Sequence, residues 1–227
     1  MNSSLEKKRL RDLHKDLVRR FVTNEIADDV LSSGFSTGGR PVRGTVLFCD
    51  MRGFTSLVET LALEESMELI GVYHTLMFEA ITSNHGVVNQ IVGDGLMALF
   101  GVPTANPESA WCAARAAVDM IEMIRFLNAD RTAQGLVPVE IGIGITTGDM
   151  IAGYVGTQSR ATYTCIGNTV NMAARLETYT KEAKHPILID EATREGLQDR
   201  LSSIALGAVQ LKGKANAVEV FALECGV

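Results

Sequence analysis

The stretch Arg43–Thr55, RGTVLFCDMRGFT, constrains the fold and chemistry of this chain more than any other. Its apolar run Val46–Cys49 is typical of a short buried strand, and Asp50 follows that run directly. A carboxylate in that position is costly unless a positive charge, such as a divalent cation, compensates it. Gly53 permits a tight turn, and Thr55 stands where a helix is predicted to begin, so that exposed N–H groups would face an anion. The stretch therefore predicts either a metal and phosphate site or a simple helix cap.

A second carboxylate, Asp94, helps to decide between a metal site and a helix cap at Asp50. The predicted strands Val87–Val92 and Leu96–Phe100 flank Gly93-Asp94-Gly95, which is typical of a tight hairpin with Asp94 at its tip. Asp-Gly is also a common exposed turn pair, so Asp94 alone would indicate only a turn. Two strand-end carboxylates, each close to a glycine, are what hard cations bridging triphosphate oxygens need.

Four ordered segments resemble the catalytic domain of class III adenylyl and guanylyl cyclases: FCDMRGFT, VVNQIVGDGLMALFG, YTCIGNTVNMAARLE and LKGKANAVEVFAL. The resemblance extends from about Arg40 to Leu223, which is most of the chain. It implies an α+β fold, in which helices cover a central, largely antiparallel sheet with a βαββαβ core. It also implies head-to-tail homodimers with the active sites at the subunit interface.

The resemblance also assigns roles to individual residues. Asn171 and Arg175 match the residues that stabilise the transition state, and their spacing places them on one face of a helix predicted from Thr169 to Tyr179. Lys212 matches a lysine that binds triphosphate, whereas Lys214 has no counterpart and is predicted to be a solvated turn residue. The remaining implied contacts are metal ligation at Asp50, Met51 and Asp94, and nucleotide binding at Gly53, Phe54 and Thr55.

Base recognition is where the sequence departs from the common adenylyl pattern. Gln90 occupies the position of an adenine-reading lysine, and Thr164 occupies the second base-reading position, which is often Asp. An amide and a hydroxyl both donate and accept hydrogen bonds, so the pair is compatible with adenine or guanine. The predicted function is conversion of ATP to 3′,5′-cyclic AMP and pyrophosphate with two divalent cations, Mg²⁺ or Mn²⁺. The alternatives are a guanylyl or dual-specificity cyclase and a catalytically silent, cyclase-like regulatory module.

The N-terminal 39 residues are predicted to form a separate unit, followed by a catalytic domain over residues 40–227. Leucines at 10, 13 and 17 begin an apolar stripe at helical spacing, which indicates either a coiled-coil seam or the buried face of an ordinary helix. Glycines and serines from Ser32 to Gly39 are typical of a flexible linker. In the resembling family, a helix here commonly joins an upstream sensory module to the catalytic domain.

Composition limits the remaining function classes. The 227 residues carry a formal net charge of −6, which argues against nucleic-acid binding. The four scattered cysteines form no C-x-x-C pair and are predicted to be reduced thiols. Because the N-terminus is charged and no apolar run approaches the ~20 residues that cross a bilayer, we expect a cytoplasmic domain.

Further elements are predicted from apolar periodicity. Leu63–Asn84 and Trp111–Phe126 are predicted to be helices, and Val137–Ile145 is predicted to be a strand. Two closing strands, Ser203–Leu211 and Val218–Leu223, flank the Lys212 turn. Five glycines are predicted to punctuate a hairpin, where they would serve turn geometry or a close approach of backbones: Gly142, Gly144, Gly148, Gly153 and Gly156.

Overall fold

The computed structural model describes residues 38–157, 160–214 and 216–225. The predicted N-terminal helix lies outside the described residues, and the first described strand begins at Gly38. The elements, in chain order, are β1 Gly38–Met51, α1 Phe54–Val58, α2 Leu63–Ser83, β2 Gly86–Val92, β3 Gly95–Phe100, α3 Ser109–Ala133, β4 Ile141–Thr157, β5 Arg160–Ile166, α4 Asn168–Ala183, β6 Ile187–Asp190, α5 Glu191–Gly196, β7 Ser203–Val209 and β8 Val218–Leu223.

The eight strands of the described residues belong to one sheet. Their order is β2-β3-β1-β4-β6-β8-β7, and β5 pairs with the second half of β4. Among the described strands, β4 and β6 form the one parallel pair, and the other pairs are antiparallel. The prediction of an α+β fold with a largely antiparallel sheet covered by helices is therefore confirmed.

Strand β1 is covered by a hydrophobic core on each face of the sheet, which explains its continuous apolar run. Leu47 and Cys49 belong to a core that they form with the buried faces of α2 and α3. Val46 points to the opposite face and belongs to a second core that includes Met150 and Ala173. Because both faces of the strand are buried, the apolar residues run without interruption up to Asp50.

The glycines predicted to punctuate a hairpin lie inside β4, the first strand of the β4–β5 hairpin, so turn geometry is the wrong explanation for them and close approach of backbones is the right one. Strand β4 runs unbroken for 17 residues, from Ile141 to Thr157. A Cβ added to Gly144 would lie 2.2 Å from the carbonyl oxygen of Ala173 and 2.2 Å from the amide nitrogen of Glu177. The absence of a side chain at Gly144 therefore allows α4 to pack directly on the backbone of β4.

Other boundaries differ from the predicted ones. Helix α3 extends to Ala133, beyond the predicted end at Phe126, and β4 begins at Ile141 rather than Val137. Strand β6 and helix α5 were not predicted, because a four-residue strand and a six-residue helix are too short to show a clear period. Among the described helices, none combines the length and apolar character required to cross a membrane.

Candidate active site

Asp50 and Asp94 meet at one edge of the sheet. Asp50 is the penultimate residue of β1, and Asp94 lies in the turn that joins β2 to β3. The backbone amide of Met51 donates a hydrogen bond to Asp94 Oδ2 at 3.2 Å. A Cβ added to Gly95 would lie 3.3 Å from Asp50 Oδ1, so the hairpin backbone passes directly beside that carboxylate. The structure thus brings together the two carboxylates that the sequence singles out.

The electrostatics of this pair favour a bound cation. The pKa of Asp50 is raised from 3.8 to about 6, mainly by burial, then by the hydrogen bond and charge of Asp94 and by the charge of Glu177. Two adjacent carboxylates that are both ionised repel each other unless a positive charge lies between them. This repulsion is the physical reason why Asp50 and Asp94 suit a divalent cation.

The number of protein ligands also limits the kind of metal site. Among the described residues, no group of three or more His, Cys, Asp or Glu side chains is placed to hold a metal ion. Mg²⁺ is usually bound by one or two carboxylates, with water and substrate phosphates supplying the other oxygens. Asp50 and Asp94 therefore fit a cation that arrives with a phosphate ligand, and fit poorly with a permanent structural metal.

A cavity of about 190 Å³ opens beside Asp50. Its polar side chains are Asp50, Gln90 and Glu177, and Phe48 and Met97 contribute to its apolar wall. Gln90 is exposed and pairs with Met97 across β2 and β3, immediately after a bulge in β2. The predicted base-reading residue Gln90 and the predicted metal ligand Asp50 thus share one cavity within a single chain.

The turn after Asp50 has the predicted form. Gly53 adopts a φ of 66°, a left-handed conformation that favours glycine, and it precedes α1. Thr55 is exposed in the first turn of α1, whereas Phe54 packs against the core formed by α2 and α3. Helix α1 has only five residues, so an anion placed at its start would meet a few backbone amides rather than a long helix dipole.

Arg175 and Lys212 lie together in a different place. Both residues line a groove of about 550 Å³, which also includes Tyr179 and Gln210. Asn171 is exposed one turn before Arg175 on α4. Arg175, a predicted catalytic residue, and Lys212, a predicted triphosphate-binding residue, therefore line a surface separate from the cavity beside Asp50.

The two predicted base-reading positions are connected by a residue that the sequence did not single out. Thr164 is half-buried on β5, pairs with Gly153, and lines neither of the two cavities. Asn89, next to Gln90, donates a hydrogen bond from Nδ2 to the carbonyl oxygen of Tyr163 at 2.9 Å. Asn89 thus connects the backbone beside Gln90 to the backbone beside Thr164. A single amide in an apolar strand gives no sequence signal for such a link.

Two basic residues also make contacts that the sequence did not reveal. Arg52 donates from Nη2 to the carbonyl oxygen of Thr180 at 3.2 Å, which ties the turn after Asp50 to α4. Lys214 was predicted to be a solvated turn residue, and its backbone amide donates to the carbonyl oxygen of Leu211 across that turn at 3.0 Å. Its half-buried side chain also makes a contact that was not predicted, because Nζ donates a hydrogen bond to Asn168 Oδ1 at the start of α4. Such contacts span 46 residues or more and leave no local pattern.

Comparison with known proteins gives a consistent result. The family model described as "Adenylate and Guanylate cyclase catalytic domain" matches residues 42–224. An adenylate cyclase of Anabaena cylindrica is 33% identical over 91% of this chain and 42% of its own length. Adenylate cyclase 1 of Rhizobium meliloti is 30% identical over 88% of this chain and 30% of its own length. The chain therefore spans less than half the length of these two relatives.

Solved structures agree with the sequence matches. The adenylyl cyclase CyaB from P. aeruginosa is 31% identical with a TM-score of 0.77, over 82% of this chain and 96% of that one. The guanylyl cyclase Cya2 is 34% identical with a TM-score of 0.74, over 82% of this chain and 94% of that one. The chain thus shares its fold with both proteins, one of which is named an adenylyl cyclase and the other a guanylyl cyclase.

Proposed function

We propose that this chain, which belongs to the family of adenylate and guanylate cyclase catalytic domains, converts ATP to 3′,5′-cyclic AMP and pyrophosphate. The observation that carries the proposal is the convergence of Asp50 and Asp94 beside the Gly53 turn, with the pKa of Asp50 raised by burial and then by the neighbouring Asp94. Relatives named as adenylate cyclases support ATP as the substrate. The silent-module alternative is disfavoured, because the chain retains Asp50, Asp94, Asn171, Arg175 and Lys212 together.

Two divalent cations, Mg²⁺ or Mn²⁺, would be held by the carboxylates of Asp50 and Asp94 and by the backbone at Met51. Bound there with the substrate, such cations lower the pKa of the ribose 3′-hydroxyl and neutralise charge on the triphosphate. The amides of Gly53, Phe54 and Thr55 would contact the phosphates.

The groove residues would supply the rest of the chemistry. The Arg175 guanidinium would stabilise the negative charge that grows on the phosphoryl oxygens, and Asn171 would orient the ribose. Lys212 would hold the terminal phosphates as a point charge. Because Arg175 and Lys212 line a groove separate from the Asp50 cavity, we propose that a second copy of the chain completes each site.

Base choice and cellular context form the less constrained part of the proposal. Gln90 and Thr164 both offer donors and acceptors, so we expect ATP to be preferred with measurable turnover of GTP. Cya2, a guanylyl cyclase, is about as similar to this chain as CyaB is, which makes GTP a necessary test substrate. An upstream sensory module and a cytoplasmic location complete the proposal.

The direct test is product identification after incubation with ATP and with GTP separately. Each nucleotide is supplied with Mg²⁺ or Mn²⁺, and the products are resolved by chromatography. The wild type should form cyclic AMP and pyrophosphate, and Asp94→Ala should form neither, since losing a cation ligand costs several kcal/mol of transition-state stabilisation. Exclusive formation of cyclic GMP would refute the adenylyl assignment, and full activity of Asp94→Ala would refute the metal assignment.

The shared-site proposal has its own test. Asp50→Ala and Arg175→Ala proteins should each be inactive, and an equimolar mixture should recover activity, because a mixed dimer contains one site with all wild-type residues. Subunit exchange is verified independently with differently tagged chains. No recovery in a mixture that has exchanged would mean that each site is contained in one chain.

A further inference from the structure

Glu177 is a buried carboxylate that the mechanism above does not use. It lies on α4, its side chain is part of the cavity wall beside Asp50, and it is only 9% exposed. Thr178 Oγ1 donates to its Oε2 at 3.2 Å. Among the described residues, none donates a hydrogen bond to its Oε1, and none of the described ion pairs includes it. A buried charged oxygen without a partner is rare in folded proteins and indicates a missing partner.

The backbone of β4 explains how this carboxylate reaches the site. Gly142 pairs with Asp50 across β4 and β1, so the two residues face the same side of the sheet. A Cβ added to Gly142 would lie 2.3 Å from Thr180 Oγ1 and 3.3 Å from Glu177 Oε1. Both side chains therefore lie close over Gly142, and the carboxylate of Glu177 shares the cavity wall with Asp50.

The surrounding charges are consistent with a role at the cation. Burial raises the pKa of both Asp50 and Glu177, and the charge of Glu177 adds to the rise at Asp50. The charge of Lys181 opposes the rise at both carboxyl groups, so all three groups share one electrostatic environment. The charge of Arg52 also opposes the rise at Glu177, yet its guanidinium is directed to the carbonyl oxygens of Ile141 and Thr180. These cations are close enough to reduce the cost of burying Glu177 without occupying its Oε1.

We propose that Glu177 is a positioning residue for the cation site, and that its free Oε1 accepts a hydrogen bond from a water molecule bound to the cation held by Asp50 and Asp94. Mg²⁺ and Mn²⁺ usually retain several water ligands, which need acceptors in a buried site. Residues that hold metal ligands in this way typically change metal affinity by about 10- to 100-fold. The inference rests on the proposed function, because it requires the cation at Asp50 and Asp94.

The test measures binding of Mn²⁺ alone to the full chain, by electron paramagnetic resonance of the free ion, together with the Tm of the metal-free protein. Glu177→Gln keeps the shape of the side chain and removes its charge. We expect this variant to bind Mn²⁺ about tenfold more weakly than the wild type. We also expect its metal-free Tm to be unchanged or higher, since an unpaired buried charge is removed. Glu195→Gln, an exposed residue of α5, controls for the loss of one charge.

The outcomes separate the two proposals. Weaker Mn²⁺ binding in Glu177→Gln, with wild-type binding in Glu195→Gln, supports the positioning role. Wild-type Mn²⁺ binding in Glu177→Gln overturns it. If the metal-free Tm of that variant is also lower, the role of Glu177 is purely structural. An Asp50→Asn variant completes the set: if it binds Mn²⁺ as the wild type does, the cation site itself is wrong, and the inference fails with it.

Discussion

Because Gly144 contacts α4, we expect Gly144→Ala to destabilise the protein, whereas a glycine-to-alanine substitution in a strand usually stabilises it. Replacing a strand glycine by alanine ordinarily stabilises a protein by about 0.5–1 kcal/mol, because the unfolded chain loses freedom. At Gly144 the new Cβ would lie 2.2 Å from both Ala173 O and Glu177 N. Non-bonded carbon–oxygen contacts are about 3.3 Å, so α4 would have to move away by roughly 1 Å.

The cost follows from what that movement disrupts. Ala173 and Leu176 of α4 are fully buried, and lifting the helix would loosen their packing on the sheet. Overpacking of a close-packed core costs about 1–3 kcal/mol, and we expect Gly144→Ala to reach the upper end, because both contacted atoms are backbone and cannot rotate away. In a domain of this size, 3 kcal/mol corresponds to a Tm decrease of roughly 6–12 °C.

The assay is urea and thermal unfolding followed by circular dichroism, with Gly71→Ala as the matched control. Gly71 is exposed in the interior of α2, and a Cβ there would meet no atom within 4 Å. Gly71→Ala should therefore stabilise the protein by about 0.5–1 kcal/mol. If Gly144→Ala were as stable as the wild type or more stable, while Gly71→Ala behaved as expected, then α4 would not lie against β4 as described.

Two further predictions concern the site. Without divalent cations, Asp50→Asn should raise the free energy of unfolding at about pH 8 by on the order of 1–3 kcal/mol, measured as a higher Tm. The reason is that the wild type loses stability as the pH rises from 3.8 through the raised pKa of about 6. A gain of equal size at about pH 3, where Asp50 is protonated in the folded state and mostly protonated in the unfolded state, would contradict this origin. Gln90→Lys should increase the ratio of kcat/KM for ATP over GTP by roughly ten- to a hundredfold, since a lysine only donates. An unchanged ratio would mean that Gln90 does not contact the base.

Local sequence patterns were sufficient to predict the elements that carry the two carboxylates. The apolar run before Asp50, the Gly-Asp-Gly turn at Asp94 and the 3.6-residue period of α2 each arise from neighbours in the chain, and the structure contains all three. Long-range packing was not predictable in this way. The five glycines around β4 were assigned to turns, because a glycine that permits a turn and one that permits a close contact look identical in sequence.

The same distinction explains why helix α4 was understood only in part. A spacing of four residues places Asn171 and Arg175 on one face of the helix, and the sequence predicts a function for that face alone. Glu177 follows Arg175 by two residues, and a two-residue step turns a helix by about 200°, which directs the two side chains to opposite sides. Arg175 accordingly lines the groove with Lys212, and Glu177 lines the cavity with Asp50. Arg175 and Glu177 therefore contact different parts of the molecule. The place of Glu177 beside the Asp50 cavity follows only from the packing of α4 over Gly142 and Gly144, which the sequence does not show.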